Sequence, residues 1–216
     1  VYKLDGKTLE WSLHFQDDPP ISTDGIVSKQ VFFESKDGTK VPMFIIHKEG
    51  IKLDGNNPTM VYGYGGFQIN MEPRFIGTTA SFVNRGGVYA IANLRGGGEY
   101  GESWHLDGII KKKQNTFDDF IAASEYLINE GYTNADKLAC KGGSNGGLLI
   151  GAVTTQRPDL YKAAICAVPL LDMLRYHKFL IARYWIPEYG DPDTKEDFLN
   201  ILEYSPYHNI RPGFNY

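Results

Sequence analysis

The hexapeptide Gly142-Gly143-Ser144-Asn145-Gly146-Gly147 constrains this chain more than any other stretch, because it sets one serine among small residues where a strand should turn abruptly into a helix. Upstream, Lys137-Leu138-Ala139-Cys140 is a short apolar run that reads as a buried strand, and downstream Leu148 to Gln156 reads as a helix. The spacing Gly142-x-Ser144-x-Gly146 has a mechanical reason. A serine on a strained turn needs neighbours without bulk two residues away, so that strand and helix can approach each other. Its hydroxyl then stands clear of the sheet. The new helix also aims free N–H groups and the positive end of its dipole at the same point, which favours an anionic tetrahedral intermediate.

A fold has to be built around this elbow, and the sequence supplies one. Before Pro58, two pairs of strand-like runs flank Asp-Gly turns: Val1 to Leu4 with Thr8 to Trp11 around Asp5-Gly6, and Val27 to Ser35 with Val41 to His47 around Asp37-Gly38. Gln16-Asp17-Asp18-Pro19-Pro20 reads as a connector between them, with a domain boundary near residue 20. From Pro58 onward short apolar runs recur at Met60 to Tyr64, Val88 to Leu94, Leu138 to Cys140 and Ala163 to Val168, with spacings long enough for helical crossovers. The clearest helix is Phe117 to Glu130, with Thr116 as its expected N-cap and Gly131 as its stop. The pattern predicts an α/β fold with a mostly parallel sheet and an N-terminal antiparallel hairpin. At 216 residues and 42% hydrophobic content, the chain can bury one core but is short for two full domains.

Charge excludes some functions. The net charge is -4, and the one basic cluster, Lys111-Lys112-Lys113, is too short for nucleic acid and is expected to be a solvated loop. No apolar run reaches membrane-spanning length, and the N-terminus lacks a signal-peptide core, although the chain opens on Val1 and so leaves a removed leader open. Cys140 and Cys166 both lie in apolar runs and are expected to be buried free thiols, which suits a reducing compartment such as the cytoplasm.

Three further motifs bear on chemistry. Gly96-Gly97-Gly98-Glu99-Tyr100-Gly101 matches the G-x-G-x-x-G spacing of a dinucleotide site, but that site must open directly into a helix, and Glu102 to Gln114 contains Gly108 and no clean helical period. No nucleotide or other cofactor is expected. Arg95, Glu99 and His105 are expected to share a hydrogen-bonded loop near a cleft rather than a metal, since no ligand spacing such as H-E-x-x-H occurs. Tyr62-Gly63-Tyr64-Gly65-Gly66-Phe67 follows the first parallel strand, where a nucleophile-elbow fold keeps its second oxyanion donor. One donor is then the Asn145 N–H. The other is a glycine N–H or the Tyr64 phenol. A serine nucleophile also needs a base and an orienting acid, and only His177 and His208 follow Ser144. His208, in Ser205-Pro206-Tyr207-His208-Asn209, reads as a turn or helix-start residue, and only one strand-like run follows the elbow, whereas the acid and base loops of such folds follow two later strands.

Taken with Ser35-Lys36-Asp37-Gly38-Thr39-Lys40-Val41-Pro42-Met43, Asn93-Leu94-Arg95 and Gln156-Arg157-Pro158-Asp159-Leu160, these motifs make the whole chain resemble the peptidase domain of the prolyl oligopeptidase family, serine peptidases of the α/β-hydrolase fold. The resemblance implies Ser144 as nucleophile, with the Asn145 N–H and the Tyr64 hydroxyl as oxyanion hole. It implies Trp185, Phe67 and Tyr189 as walls of a pocket for a proline ring. A ring with no N–H is selected by an aromatic slot through contact area rather than hydrogen bonding. Leu170 stands where the family usually carries a smaller apolar residue. The resemblance further implies a partial fold: residues 1–20 as the remnant of a preceding propeller domain and linker, and residues 21–216 as the N-terminal part of the hydrolase domain. The acid, the base histidine and a substrate-binding arginine are then expected beyond Tyr216, and the segment alone is expected to be nearly inert. The implied partners are proline-containing oligopeptides, the propeller and the rest of the hydrolase domain, with no nucleic acid, membrane, cofactor or metal. Two alternatives stay open: a macrocyclase of the same family, passing the acyl group to a peptide amine instead of water, and a non-catalytic module that binds proline peptides.

Overall fold

The computed structural model describes residues 1–16 and 21–216, so all but the first residue of the connector expected at Gln16 to Pro20 lies outside the described residues. Alternating apolar residues build the antiparallel start of the main sheet. In β3 (Ile26–Glu34) Val31 and Phe33 point inward, and in β4 (Lys40–Lys48) Val41, Met43 and Ile45 are fully buried on one face. The two strands pair antiparallel from Ile26↔Lys48 to Glu34↔Lys40, closed by the turn at Asp37-Gly38, where Gly38 takes φ +83°. β1 (Tyr2–Leu4) and β2 (Trp11–Leu13) form a separate two-stranded sheet with exposed side chains. Its second strand begins at Trp11 rather than Thr8. Asp5 accepts from the N–H groups of Lys7 and Thr8, which wraps those residues into the loop instead of the strand.

The rest alternates strand and helix: β5 (Thr59–Tyr62), α1 (Thr79–Asn84), β6 (Val88–Ala92), α2 (Glu102–Leu106), α3 (Lys113–Asn129), β7 (Leu138–Gly143), α4 (Asn145–Gln156) and β8 (Ala163–Ala167), then α5 (Ile186–Tyr189) and α6 (Lys195–Tyr204). The six-stranded sheet runs β3-β4-β6-β5-β7-β8, antiparallel as far as β6 and parallel from there on. This is the predicted α/β architecture, mostly parallel with an antiparallel hairpin at its start. β6 is buried at every residue, as a central strand covered on both faces must be. α3 turns Phe117, Phe120, Ala123 and Leu127 into the main core, while α1 covers a smaller cluster of Ile46, Val83, Tyr89 and Ile91.

From β5 the chain moves outward to β6, then returns past β5 to β7. The reversal sets the carboxyl ends of β5 and β7 side by side, the position at which open α/β sheets bind ligands. The Tyr64 loop leaves one of these strands and the Ser144 elbow leaves the other.

Three expectations are corrected. Thr116 does not cap a helix: α3 starts at Lys113, and the Thr116 hydroxyl, fully buried, donates to the Arg95 carbonyl at 2.8 Å. Cys166 is exposed on β8, whose five residues are all uncovered among the described residues, whereas Cys140 is buried and its thiol is pushed up to about 12 by burial. The glycine run at 96–101 is followed by a helix, but α2 has only five residues, too few for a pyrophosphate-binding N-terminus.

Candidate active site

The elbow forms because glycine surrounds it. A Cβ on Gly142 would run into the carbonyl of Gly146, and one on Gly146 would come within 2.7 Å of the Gly63 carbonyl, so strand and helix could not close up around any larger residue. Between them Ser144 adopts φ 58°, ψ -118°, a strained conformation for a residue with a side chain. Its own N–H is fixed to the Ala167 carbonyl at 3.0 Å, and its carbonyl accepts from Gly147 and Leu148 as the helix begins. Although Ser144 occupies the N-cap position, its hydroxyl makes no capping bond, and the residue is exposed. The oxygen is therefore available for chemistry.

Asn145 opens α4, directly after Ser144, so its N–H has no intrahelical acceptor. Its side chain is fully engaged elsewhere. Nδ2 donates to the Tyr64 carbonyl at 2.5 Å and Oδ1 accepts from the Tyr189 hydroxyl at 2.9 Å. This bridge ties the residue after the nucleophile to the loop after β5. The Tyr64 phenol is half-buried, and its pKa is raised above the usual 10.0 by burial, while a hydrogen-bonding contribution from Ser144 opposes the rise. A phenol that stays protonated beside the serine keeps an O–H able to donate a hydrogen bond.

The aromatic residues gather on the far side of that loop. Phe67 meets Trp185 edge-on with centroids 6.3 Å apart, and meets Tyr189 edge-on at 5.7 Å. Phe67 and Trp185 keep accessible surface. Tyr189 is 0% exposed and so backs Phe67 and anchors Asn145 instead of offering an open wall. On its other side Trp185 joins Leu170, Phe179, Leu180 and Ile181 around an open apolar cavity of about 350 Å³, which Ser144, Tyr64 and Phe67 do not line.

The structure separates residues expected together and assembles others that the sequence hid. Arg95, Glu99 and His105 do not share one network. The Arg95 guanidinium, 4% exposed, lies between Asp119 and Asp37; Glu99 accepts from the Met71 N–H and Asn93; His105 Nε2 lies 2.9 Å from Glu188 Oε2. Lys113 is not solvated like its neighbours Lys111 and Lys112. It is 1% exposed and pairs with buried Glu188 at 3.2 Å, directly under the Tyr64 loop. Sequence periodicity carried the signal: Lys113, Phe117, Phe120, Ser124 and Leu127 follow the i, i+4, i+7 rhythm of the inward face of α3. His208 sits in the turn Pro206–Asn209 with Nδ1 2.8 Å from Ser205 Oγ, and His177 Nε2 lies 3.2 Å from Asp193 Oδ2. Among the described residues neither histidine is bonded to Ser144. His177, Asp191 and Asp193 bring possible metal-ligand atoms within 4.8 Å of one another, but Asp193 is also paired with Lys178 at 3.3 Å.

Comparisons with known proteins give the chain a family. The profile of the Prolyl oligopeptidase family matches residues 73–215. A prolyl endopeptidase of Elizabethkingia miricola is 52% identical over 194 residues, 89% of this chain and 28% of the relative, and one of Elizabethkingia meningoseptica is 46% identical over 100% of this chain and 31% of its own. Among solved structures, a prolyl endopeptidase 55% identical superimposes with a TM-score of 0.95, covering 100% of this chain and 32% of its own. Prolyl oligopeptidase B from Galerina marginata, bound to a 25mer macrocyclization substrate, is 40% identical with a TM-score of 0.91 over 97% of this chain and 30% of its own. This chain thus spans less than a third of the length of each of these relatives, and what it shares with them is part of an α/β-hydrolase fold.

Proposed function

Because the chain belongs to the prolyl oligopeptidase family, we propose that the protein carrying it is a serine endopeptidase that hydrolyses short peptides on the carboxyl side of proline through an acyl-enzyme on Ser144. The observation that carries this reading is the exposed Ser144 hydroxyl, held on a strained turn at the start of α4 with the Tyr64 phenol beside it.

The chemistry follows from the placement. Ser144 Oγ attacks the scissile carbonyl, and the oxygen that gains charge is met by the Asn145 N–H and the Tyr64 O–H, two fixed donors at the head of a helix dipole. Phe67 and Trp185 offer ring faces and edges to the proline, and Tyr189 keeps Phe67 and Asn145 in place from beneath. His208 is bonded to Ser205 and His177 lies beside Asp193, neither of them on Ser144, so on this reading the base that takes the serine proton, with its orienting acid, belongs to the parent protein beyond this stretch. The stretch by itself then retains about 10³ to 10⁴-fold over water at best, the part due to binding and the oxyanion hole. Two free cysteines fit a reducing, cytoplasmic setting.

The test is Ser144→Ala in the intact protein with a chromogenic proline peptide. A fall in kcat on the order of 10⁶-fold is expected. Unchanged turnover overturns the assignment. The likeness to a relative solved with a macrocyclization substrate supports a second reading, in which a peptide amine takes the acyl group. Product masses from a precursor-like peptide separate the two, since hydrolysis adds a water and ring closure does not.

A further inference from the structure

Lys113 and Glu188 come from different elements, the first residue of α3 and the third of α5, and both are almost without accessible surface, at 1% and 4%. Isolated buried charges cost several kcal/mol each, and even a paired set is often no more stabilising than apolar residues of the same size. What distinguishes this pair is what it grips. Lys113 Nζ donates to the Gly65 carbonyl at 3.0 Å and to Glu188 Oε1 at 3.2 Å, and the same Oε1 accepts from the Phe67 N–H at 3.1 Å. Cation and anion therefore clasp the two ends of Gly65-Gly66-Phe67.

That tripeptide needs a clasp. Gly65 has φ +63°, Phe67 φ +54° and Gln68 φ +56°, and residues with side chains hold this region only where the surroundings impose it. A Cβ at Gly65 would collide with Thr116 and one at Gly66 would come within 2.5 Å of Asn145, so the loop is pressed against both α3 and α4 with no slack. It carries Tyr64 at one end and Phe67 at the other. Lys113 also lies 5.5 Å from the Tyr189 ring centroid, and His105 holds the outer oxygen of Glu188, so each member of the pair is itself held.

We propose that Lys113 and Glu188 are positioning residues: their ion pair locks the loop after β5 so that the Tyr64 hydroxyl and the Phe67 ring hold one geometry relative to Ser144. The proposal rests on Tyr64 as an oxyanion donor and assigns the device that places it. The charge of Glu188 also acts on Tyr64, adding to burial in raising the phenol's pKa.

A double-mutant cycle in the intact protein tests this. Lys113→Met is made with Tyr64 present and with Tyr64→Phe, and kcat and KM are measured for a proline peptide. With Tyr64 present, kcat should fall by about 10²-fold, the cost of a displacement of about 1 Å, with KM changing far less. With Tyr64→Phe the same substitution should cost far less than 10²-fold in kcat, because the hydroxyl is gone and only the Phe67 ring is left to be displaced. Equal losses in both backgrounds, or no loss with Tyr64 present, overturn the proposal. Should Lys113→Met fail to fold, Lys113→Met/Glu188→Gln leaves no unpaired buried charge and should show the same background dependence; full turnover of that variant with Tyr64 present overturns the proposal equally. If Tyr64→Phe alone leaves kcat unchanged, the oxyanion role itself fails, whereas a slow Tyr64→Phe beside a fully active Lys113→Met condemns only the positioning role.

Discussion

Ser144, Phe67 and Gln68 all hold positive φ angles without being glycine, and all three lie in the loops that leave β5 and β7. Strain of this kind persists only where neighbours enforce it, and here glycines, Asn145 and the Lys113–Glu188 pair do so. The sequence announced the first of these devices and hid the last. Small residues around a serine have one economical explanation, whereas a lysine next to two solvated lysines looks like surface until its place on the inward face of α3 is counted. Tyr64 yields the sharpest prediction at this scale. Removing its hydroxyl as Tyr64→Phe should lower kcat by about 10² to 10³-fold with a small change in KM. Because its pKa lies above 10.0, the neutral, donating form persists through mildly alkaline pH, so Tyr64 should contribute no downturn in kcat between pH 7 and about 9. A steady-state pH profile of the wild type and Tyr64→Phe checks both statements.

Between elements, Arg95 joins three pieces of chain that are far apart in sequence. It follows β6, bonds Asp119 on α3 through its backbone and guanidinium, and reaches Asp37 in the turn between β3 and β4. The hydrogen bonds from Arg95 hold the Asp37 carboxyl at about 2, against an ordinary 3.8. A depressed folded-state pKa means stability that is present above about pH 4 and lost as pH falls toward 2. Asp37→Asn should therefore lower Tm at pH 7, by the equivalent of under about 1 kcal/mol because Asp37 is half-exposed and screened, and the difference from wild type should close near pH 2. Asp119, 0% exposed, is another matter: Asp119→Ala leaves Arg95 short of its buried partner and should cost about 3 to 5 kcal/mol in denaturant unfolding. The elements these residues join were largely legible, since Asp37-Gly38 announced the hairpin and Gly131 the end of α3. Their ends were not. Thr116 looked like a cap because its type suits one, yet tertiary packing turned it inward, and the first hairpin shifted because Asp5 captured two N–H groups that a strand would have used.

At the scale of the molecule, the order β6-β5-β7 puts the serine loop and the tyrosine loop side by side, and no periodicity in the sequence specifies that order; it comes from the reversal of crossovers around β5. The same sheet ends on β8, exposed along its length, with Ile165 and Val168 and then Leu180 and Ile181 accessible beside it. This also accounts for the misjudged Cys166, whose apolar neighbours suggested a buried strand. Such an edge invites pairing, so the 216-residue chain expressed alone should self-associate with rising concentration in sedimentation analysis, and a monomer at all concentrations would contradict the exposed edge. The proposed reaction turns on one exposed oxygen, the Ser144 hydroxyl in the turn between β7 and α4. Treating the intact, active protein with a fluorophosphonate and mapping the adduct by peptide mass spectrometry tests it most directly: the label should sit on Ser144 and turnover should fall in proportion to labelling, whereas an active preparation that loses turnover to the reagent with Ser144 unmodified would contradict it.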